Sequence, residues 1–163
     1  MTIRQEAQRI IDAALTDAMP GAAVEQALEN IAFNPSGRLF LVAVGKAAWE
    51  MARSASERLR DRLDSGIIIT KYGHSKGELE RISIFEAGHP VPDENSFNAS
   101  SRVIECVSDL NAEDNVLFLL SGGGSALFEK PLIPAEDLAD ITRQLLACGA
   151  NIVEINTIRK RLS

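Results

Sequence analysis

The chain has 163 residues, of which 45% are hydrophobic and 25% charged, a composition that supports one globular domain with its own core. A formal net charge of −6 argues against the basic surface that neutralises nucleic-acid phosphates, so nucleic acid is not an expected partner. Charged residues interrupt the apolar pattern of positions 4–17, and no later apolar run would cross a bilayer; we therefore expect no signal peptide, no membrane segment and a cytoplasmic location.

The chain opens with two helical patterns. Apolar residues recur at helical spacing over positions 3–15, and Pro20-Gly21 ends this first pattern. A second helical pattern covers positions 24–31. A turn-forming Asn-Pro-Ser-Gly stretch at 34–37 follows. The unbroken apolar run at 39–44 then predicts a strand that is buried on both faces, as in a parallel sheet.

Strand and helix patterns alternate after this first strand. We predict a helix over 47–63, strands over 66–70 and 82–86, a helix over 93–110, a strand over 116–120, and a helix from Pro134 to Ala147 closed by Gly149. Residues 71–81 read as an irregular surface loop, in which His74 is expected to be exposed and inert. This alternation predicts an α/β fold, a three-layer αβα sandwich around a mostly parallel, doubly wound, Rossmann-like sheet.

The domain count and the chain end lead to two further expectations. No linker or repeat divides the sequence, so residues 1–163 are expected to form one domain. The final polar motif, at positions 156–163, has no predicted closing helix, and we expect the chain to be part of a longer one. Cys106 and Cys148 lie within helical patterns and are predicted to be small core residues, and no side chains stand at metal-ligand spacing, so no protein metal site is predicted.

Lys46 follows the first strand and begins the predicted helix. Its ammonium is placed at the positive end of the helix dipole, which is unfavourable by about 0.3–1 kcal/mol unless an anion joins it. An anion is therefore expected beside Lys46, with a lysine that simply points into water as the alternative. The motif is not a P-loop, because Gly37 lies too far back and Ala47 stands where the magnesium-binding Ser or Thr would be.

A glycine-rich loop follows the last strand and consists of Ser121, Gly122, Gly123, Gly124 and Ser125. Backbone amides can converge there without side-chain obstruction, and the serine hydroxyls add donors, an arrangement that suits phosphate or carboxylate oxygens. A plain turn is the alternative. The loop is not a dinucleotide fingerprint, since Leu127 stands where the third glycine would be.

Two further motifs contain candidate ligand-binding residues. His89 lies between a strand and two prolines, where it could hydrogen-bond a substrate, act as acid or base, or be purely structural, whereas Asp93 is expected to cap the following helix. Asn156 and Arg159 belong to a polar cluster near the chain end that offers convergent donors to an acidic group, in a ligand or an interdomain role, with a solvated helix face as the alternative.

Four motifs, VAVGKAAWEMA, EAGHPVPDENS, LFLLSGGGSAL and INTIRKRLS, together resemble those of the glycerate 2-kinases that carry a MOFRL C-terminal domain and are sometimes labelled hydroxypyruvate reductases. The resemblance implies transfer of the ATP γ-phosphate to the 2-hydroxyl of D-glycerate, giving 2-phosphoglycerate, with magnesium, in a cleft between two domains. It also implies that Lys46 is catalytic and that the Ser121–Ser125 loop holds an anion. Residues 1–163 would be the N-terminal, substrate-binding domain, with the C-terminal domain of the same enzyme as partner. Arg161 stands where that family more usually has histidine.

Two other functions remain open from the sequence. One is an NAD(P)H-dependent hydroxypyruvate reductase, against which the missing dinucleotide fingerprint speaks. The other is a non-catalytic module that binds a phosphorylated or carboxylated metabolite. A homo-oligomer is compatible with each of these functions.

Overall fold

Four parallel strands form the centre of the computed structural model, which describes residues 1–163. The strands are β1 (Leu39–Val44), β2 (Ser65–Lys71), β3 (Ile82–Ala87) and β4 (Asn115–Leu120), in the spatial order β3-β2-β1-β4. Each predicted strand is confirmed to within one residue at either end. The order matches the first four strands of the Rossmann sheet.

The helices are α1 (Ile3–Asp17), α2 (Pro20–Glu29), α3 (Ala48–Leu59), α4 (Glu94–Ser108), α5 (Gly124–Leu127), α6 (Ala135–Ala147) and α7 (Ile152–Arg159), with a 3₁₀ turn at Arg60–Arg62. Helices α2 and α3 cover one face of the sheet, and α4 and α5 cover the other. The predicted three-layer α/β architecture is thereby confirmed. None of the helices combines the length and apolar character needed to span a membrane.

Strand β1 lies between β2 and β4 and contributes side chains to the core on both faces of the sheet, since successive side chains of a strand point to opposite faces. Leu39 and Leu41 pack with Trp49 of α3 on one face, while Phe40 and Val42 pack toward α4 on the other. All six residues of β1 are buried. The unbroken apolar run therefore corresponds to the doubly covered strand that the sequence predicts.

Strand β4 differs from β1 because it lies at the edge of the sheet. Val116, Phe118 and Leu120 are 44%, 44% and 62% exposed, although the ring of Phe118 packs against that of Phe128 with 5.7 Å between the ring centroids. Helix α1 likewise has no buried residue and leaves Ile3 and Leu15 exposed. The chain thus presents apolar surface on a free sheet edge and on its first helix.

Two expectations from the sequence are wrong. The chain end, where no closing helix was expected, contains α7, which Asn151 caps and in which Glu154 closes a capping box with Asn151. The apolar residues Ile152 and Val153 point into solvent, which is why they gave no helical stripe. Both cysteines are exposed rather than core residues: Cys106 lies on the outer side of α4, and Cys148 follows the end of α6.

Candidate anion-binding site

Three of the predicted motifs meet at one edge of the sheet. In a parallel sheet the carboxyl ends of the strands lie together, and here β1 leads into Lys46, β3 leads into His89, and β4 leads into the Ser121–Ser125 loop. Candidate residues from distant parts of the sequence are therefore brought to the same place by the sheet topology.

Gly45 and Ser121 fasten the loops after β1 and β4 to each other. Gly45 is buried with φ of 120°, and a Cβ there would lie 2.2 Å from the Ser121 hydroxyl oxygen. That hydroxyl accepts a hydrogen bond from the backbone N–H of Ala47 at 3.1 Å and donates to the Val44 carbonyl at 3.3 Å. The backbone N–H of Lys46 donates to the Gly122 carbonyl at 3.0 Å. The hydroxyl of Ser121 thus forms its hydrogen bonds with backbone groups and holds the two loops together, whereas the sequence suggested that it donates to a ligand.

Gly123 is the point where Lys46 and His89 converge. Its φ is 93°, and a Cβ there would lie 2.8 Å from His89 Cδ2, 2.9 Å from His89 Nε2 and 3.3 Å from Lys46 Cε. The backbone N–H groups of Gly122 and Gly123 donate to no acceptor within the chain. We call Lys46, His89, Gly122 and Gly123 the anion cluster. It combines one cation, one imidazole and two free amide donors.

Lys46 carries the charge of the cluster. Its side chain is exposed and takes part in no ion pair of the chain. Its backbone carbonyl lies 3.0 Å from Nδ1 of His74, so His74 has a structural contact that the sequence did not suggest. Helix α3 begins at Ala48 without a side-chain cap. The lysine is therefore held at its backbone while its ammonium stays free for a ligand.

The imidazole of His89 is poised to remain neutral. Partial burial lowers the pKa of His89, and the positive charge of Lys46 lowers it further. A histidine whose pKa is depressed below its usual value carries a free lone pair at neutral pH. The ring can therefore accept a proton or a hydrogen bond beside the lysine.

Asp93 holds the segment that carries His89. It caps α4 as predicted, accepting from the backbone N–H of Ser96 at 3.0 Å in a capping box. Tyr72 donates its hydroxyl to the other carboxylate oxygen of Asp93 at 2.7 Å, and this bond raises the pKa of Tyr72. Burial opposes ionisation of Asp93, but the bonds from Tyr72, Gly88 and Ser96 outweigh it and lower its pKa. A charged, fully bonded carboxylate thus fixes the start of α4 behind His89.

The remaining candidates lie on the far side of the glycine loop. Ser125, Asn156 and Arg159 line a shallow pocket of about 250 Å³, and Arg159 is 7% exposed. The guanidinium of Arg159 pairs with the carboxylate of Glu129 and donates to the Ser125 carbonyl at 2.6 Å. The structure thus gives Arg159 internal partners, whereas the sequence suggested that it faces a ligand. Gly124 opens α5 beside this pocket.

Sequence reasoning missed Glu129, His74 and Tyr72. Glu129 is 6% exposed, and a single carboxylate in the Phe-Glu-Lys stretch after the glycine loop gives no signal of burial. His74 and Tyr72 lie in a loop without periodicity, so their contacts depend on tertiary structure alone. The placement of glycines at 73 and 77 was the one available sign that this loop is shaped.

Comparison with known proteins adds the following relationships. Residues 6–163 match the family model described as "Domain of unknown function (DUF4147)". The chain is 47% identical over 164 residues to the D-glycerate 2-kinase of Thermotoga maritima, covering 99% of the chain and 39% of that protein. It is 41% identical to the glycerate 2-kinase of Pyrococcus horikoshii, covering 100% and 39%. It is also 41% identical to a protein of Agrobacterium vitis named "Putative hydroxypyruvate reductase", covering 100% and 37%.

Solved structures give the same relationship in three dimensions. The chain superposes on the crystal structure of Thermotoga maritima glycerate kinase with a TM-score of 0.87 at 47% identity, covering 99% of the chain and 39% of that structure. A crystal structure of a Pyrococcus horikoshii protein gives a TM-score of 0.85 at 40% identity, covering 100% and 39%. The chain therefore spans well under half the length of the relatives that it matches.

Proposed function

The chain belongs to the DUF4147 family, and from that membership together with the anion cluster we propose that it supplies the substrate-binding part of an ATP-dependent kinase that phosphorylates the 2-hydroxyl of D-glycerate. The observation that carries the proposal is the convergence of Lys46 and His89 on Gly123, beside two free amide donors. The 47% identical relative named D-glycerate 2-kinase supports the choice of substrate.

In this proposal Lys46 neutralises negative charge. Glycerate carries a carboxylate and the transferred phosphoryl group is anionic, so a free ammonium and two unoccupied N–H groups suit either of them. Because transfer of a phosphoryl group consists largely of positioning and charge stabilisation, an unpaired cation is the main contribution that this part of the protein can make. Lys46 is accordingly the proposed catalytic residue, with Gly122 and Gly123 as binding residues.

His89 is proposed to contact the acceptor hydroxyl. In the transfer, the 2-hydroxyl oxygen forms a bond to the γ-phosphorus, the bond from that phosphorus to the ADP oxygen breaks, and the hydroxyl proton must leave. A neutral imidazole at the edge of the cluster can accept that proton, because burial and Lys46 both disfavour its charged form. The hydrogen-bonded Asp93 and Tyr72 keep the His89 segment in place.

Magnesium does not fit the anion cluster by itself. Mg²⁺ is usually held by one or two carboxylates together with substrate phosphates, and the cluster contains no carboxylate. No group of three or more His, Cys, Asp or Glu side chains is arranged to hold a metal ion. We therefore assign no magnesium ligand to residues 1–163, although the proposed ATP reaction calls for the ion.

The experiment that tests the function uses the full-length enzyme, meaning the complete natural reading frame that carries these residues. A coupled assay measures ADP release with D-glycerate and magnesium-ATP, and ³¹P NMR identifies the product as 2-phosphoglycerate or 3-phosphoglycerate. We expect ADP release and the 2-phosphate. Oxidation of NADPH or NADH with hydroxypyruvate, in the absence of ADP release, would instead favour a reductase, the activity in the name of the Agrobacterium vitis relative.

A second domain is proposed to form the other wall of the site. The relatives are more than twice as long as this chain, and β4 leaves Val116, Phe118 and Leu120 partly exposed on the edge strand of the sheet. Burial of apolar side chains of this size contributes about 1.5–3 kcal/mol each, so such a surface favours a packing partner. We propose that further polypeptide of the same enzyme covers it.

A further inference from the structure

Glu129 and Arg159 form a buried ion pair next to the glycine loop. Their side chains are 4% and 8% exposed, and Arg159 reaches across from α7 to the loop that follows α5. The same terminal nitrogen of Arg159 also donates to the Ser125 carbonyl at 2.6 Å, in the first turn of α5. The Nε atom of Arg159 is buried without any partner.

Such a pair is a poor way to stabilise a fold. Removing two charges from water is costly, and replacing a buried ion pair with apolar side chains of similar volume is often neutral or stabilising. The unpartnered Nε of Arg159 adds to the cost, because a buried N–H without an acceptor loses its hydration and gains nothing. What the pair does supply is orientation, since Glu129 holds the planar guanidinium of Arg159 so that it donates to the Ser125 carbonyl.

The pair is also connected to the segment behind His89. The backbone N–H of Glu129 donates to the Ser100 hydroxyl at 2.9 Å, and that hydroxyl donates to the Ser96 carbonyl at 2.8 Å. Ser96 is in turn the capping-box partner of Asp93. The α5 turn at Ser125 and the first turn of α4 are thus held by one buried polar network, and these two turns flank the anion cluster.

We propose that Arg159 is a positioning residue that, through Glu129 and the Ser125 carbonyl, fixes the α5 turn and thereby the direction of the Gly122 and Gly123 amides. This proposal rests on the proposed function, because the amides are taken to receive an anionic group of the substrates. It assigns Arg159 no contact with the ligand. The cation of the site remains Lys46, and the guanidinium acts from behind the loop.

The test separates positioning from stability by removing both charges together. In the full-length enzyme, Glu129→Leu combined with Arg159→Met keeps the approximate volume but removes the ion pair and the bond to the Ser125 carbonyl, so the free energy of unfolding in urea is expected to be unchanged or higher. Because a misplacement of ~1 Å can cost about 100-fold in rate, we expect kcat/KM to fall by about 10- to 100-fold. The Michaelis constant for glycerate or for ATP should rise. A purely structural role would lower only the active fraction and leave both Michaelis constants unchanged.

A second variant covers the case in which the double variant does not fold. Arg159→Lys keeps a positive charge beside Glu129 but lacks the planar fork, so we expect it to fold and to show the same rise in Michaelis constant. The control is the exposed pair Arg102 and Glu105 on α4, where Arg102→Met with Glu105→Leu should leave both Michaelis constants unchanged.

Binding of inorganic phosphate, measured by calorimetry, keeps this proposal distinct from the proposed function. If the wild-type enzyme binds phosphate but makes no phosphoglycerate, the function fails and the Kd of phosphate still reports on the loop. We expect that Kd to rise about tenfold in Arg159→Lys. A wild-type Kd and wild-type Michaelis constants in Arg159→Lys would overturn the positioning role.

Discussion

Two neighbouring glycines of the anion cluster offer a sharp test, since a methyl group on Gly123 would meet His89 and Lys46 whereas one on Gly122 would meet no other atom. Gly123 has φ of 93°, and a Cβ there would lie 2.8 Å from His89 Cδ2. Gly122 has no heavy atom within 4 Å of its would-be Cβ and no positive φ. Alanine at 123 therefore changes the cluster, whereas alanine at 122 adds the same methyl group in open space.

The magnitude for Gly123→Ala follows from the geometry. A non-glycine residue held at positive φ costs of order 1–3 kcal/mol. Carbon atoms prefer a separation of ~3.5–4.0 Å, so the imidazole of His89, at 2.8 Å, must move by about 0.7 Å or more. A displacement of this size at reacting groups is expected to lower kcat/KM by about 10- to 100-fold. Gly122→Ala should change stability by less than about 0.5 kcal/mol.

The assay measures both quantities in the full-length enzyme. Urea unfolding followed by circular dichroism gives the free energy of unfolding, and the ADP-coupled assay gives kcat/KM. At substrate concentrations and temperatures where each variant is fully folded, the loss for Gly123→Ala should persist. Equal kcat/KM for the two alanine variants would refute the view that Gly123, Lys46 and His89 form one site.

Three further predictions concern single residues. Lys46→Ala should lower kcat/KM by two or more orders of magnitude, roughly 3 kcal/mol, without rescue by arginine; near wild-type turnover would remove Lys46 from the mechanism. Gly45→Ala should lower the free energy of unfolding by more than about 2 kcal/mol, because its φ is 120° and its Cβ would lie 2.2 Å from the Ser121 hydroxyl; an unchanged urea midpoint would contradict this. Because the pKa of His89 is lowered in the folded state, the free energy of unfolding is unaffected by this residue above about pH 6.5 and decreases as the pH falls from there through the lower pKa of the folded state. His89→Gln should therefore make the urea midpoint depend less on pH across that range. The same dependence of the urea midpoint on pH in the wild type and in His89→Gln would count against this assignment.

Local patterns in the sequence predicted most of the fold. The apolar run at 39–44 identified β1, and Asp93 identified the start of α4, because burial on two faces and capping leave direct marks on composition. The edge position of β4 could not be predicted, since its apolar residues read like those of a buried strand. A strand at the edge of one chain and a strand at the centre of a larger sheet share the same sequence signature.

The site was predictable in its parts but not in its connections. Lys46 and the glycine loop are visible in the sequence because each follows a strand. The contact between His89 and Gly123 depends on how the loops after β3 and β4 bend across the sheet edge, which no local pattern encodes. The pairing of Arg159 with Glu129 is likewise a product of tertiary structure. Lys46 and the glycine loop can thus be recognised locally as candidate anion-binding residues, whereas their grouping with His89 follows from the tertiary structure.

The last prediction concerns residues 1–163 assayed on their own. Four paired strands and helices on both faces give the chain a core of its own, so we expect cooperative unfolding in urea. We expect no turnover of glycerate, because the anion cluster lies open to solvent at the carboxyl ends of the strands and phosphoryl transfer needs donor and acceptor aligned from two sides. Adding the remaining part of the full-length enzyme as a separate polypeptide should restore ADP release if it packs on β4, and Phe118→Glu, which places a charge on that uncovered strand, should prevent the restoration. Robust turnover by the isolated chain would show that the anion cluster needs no second wall, and the site would then have to be sought within these residues alone.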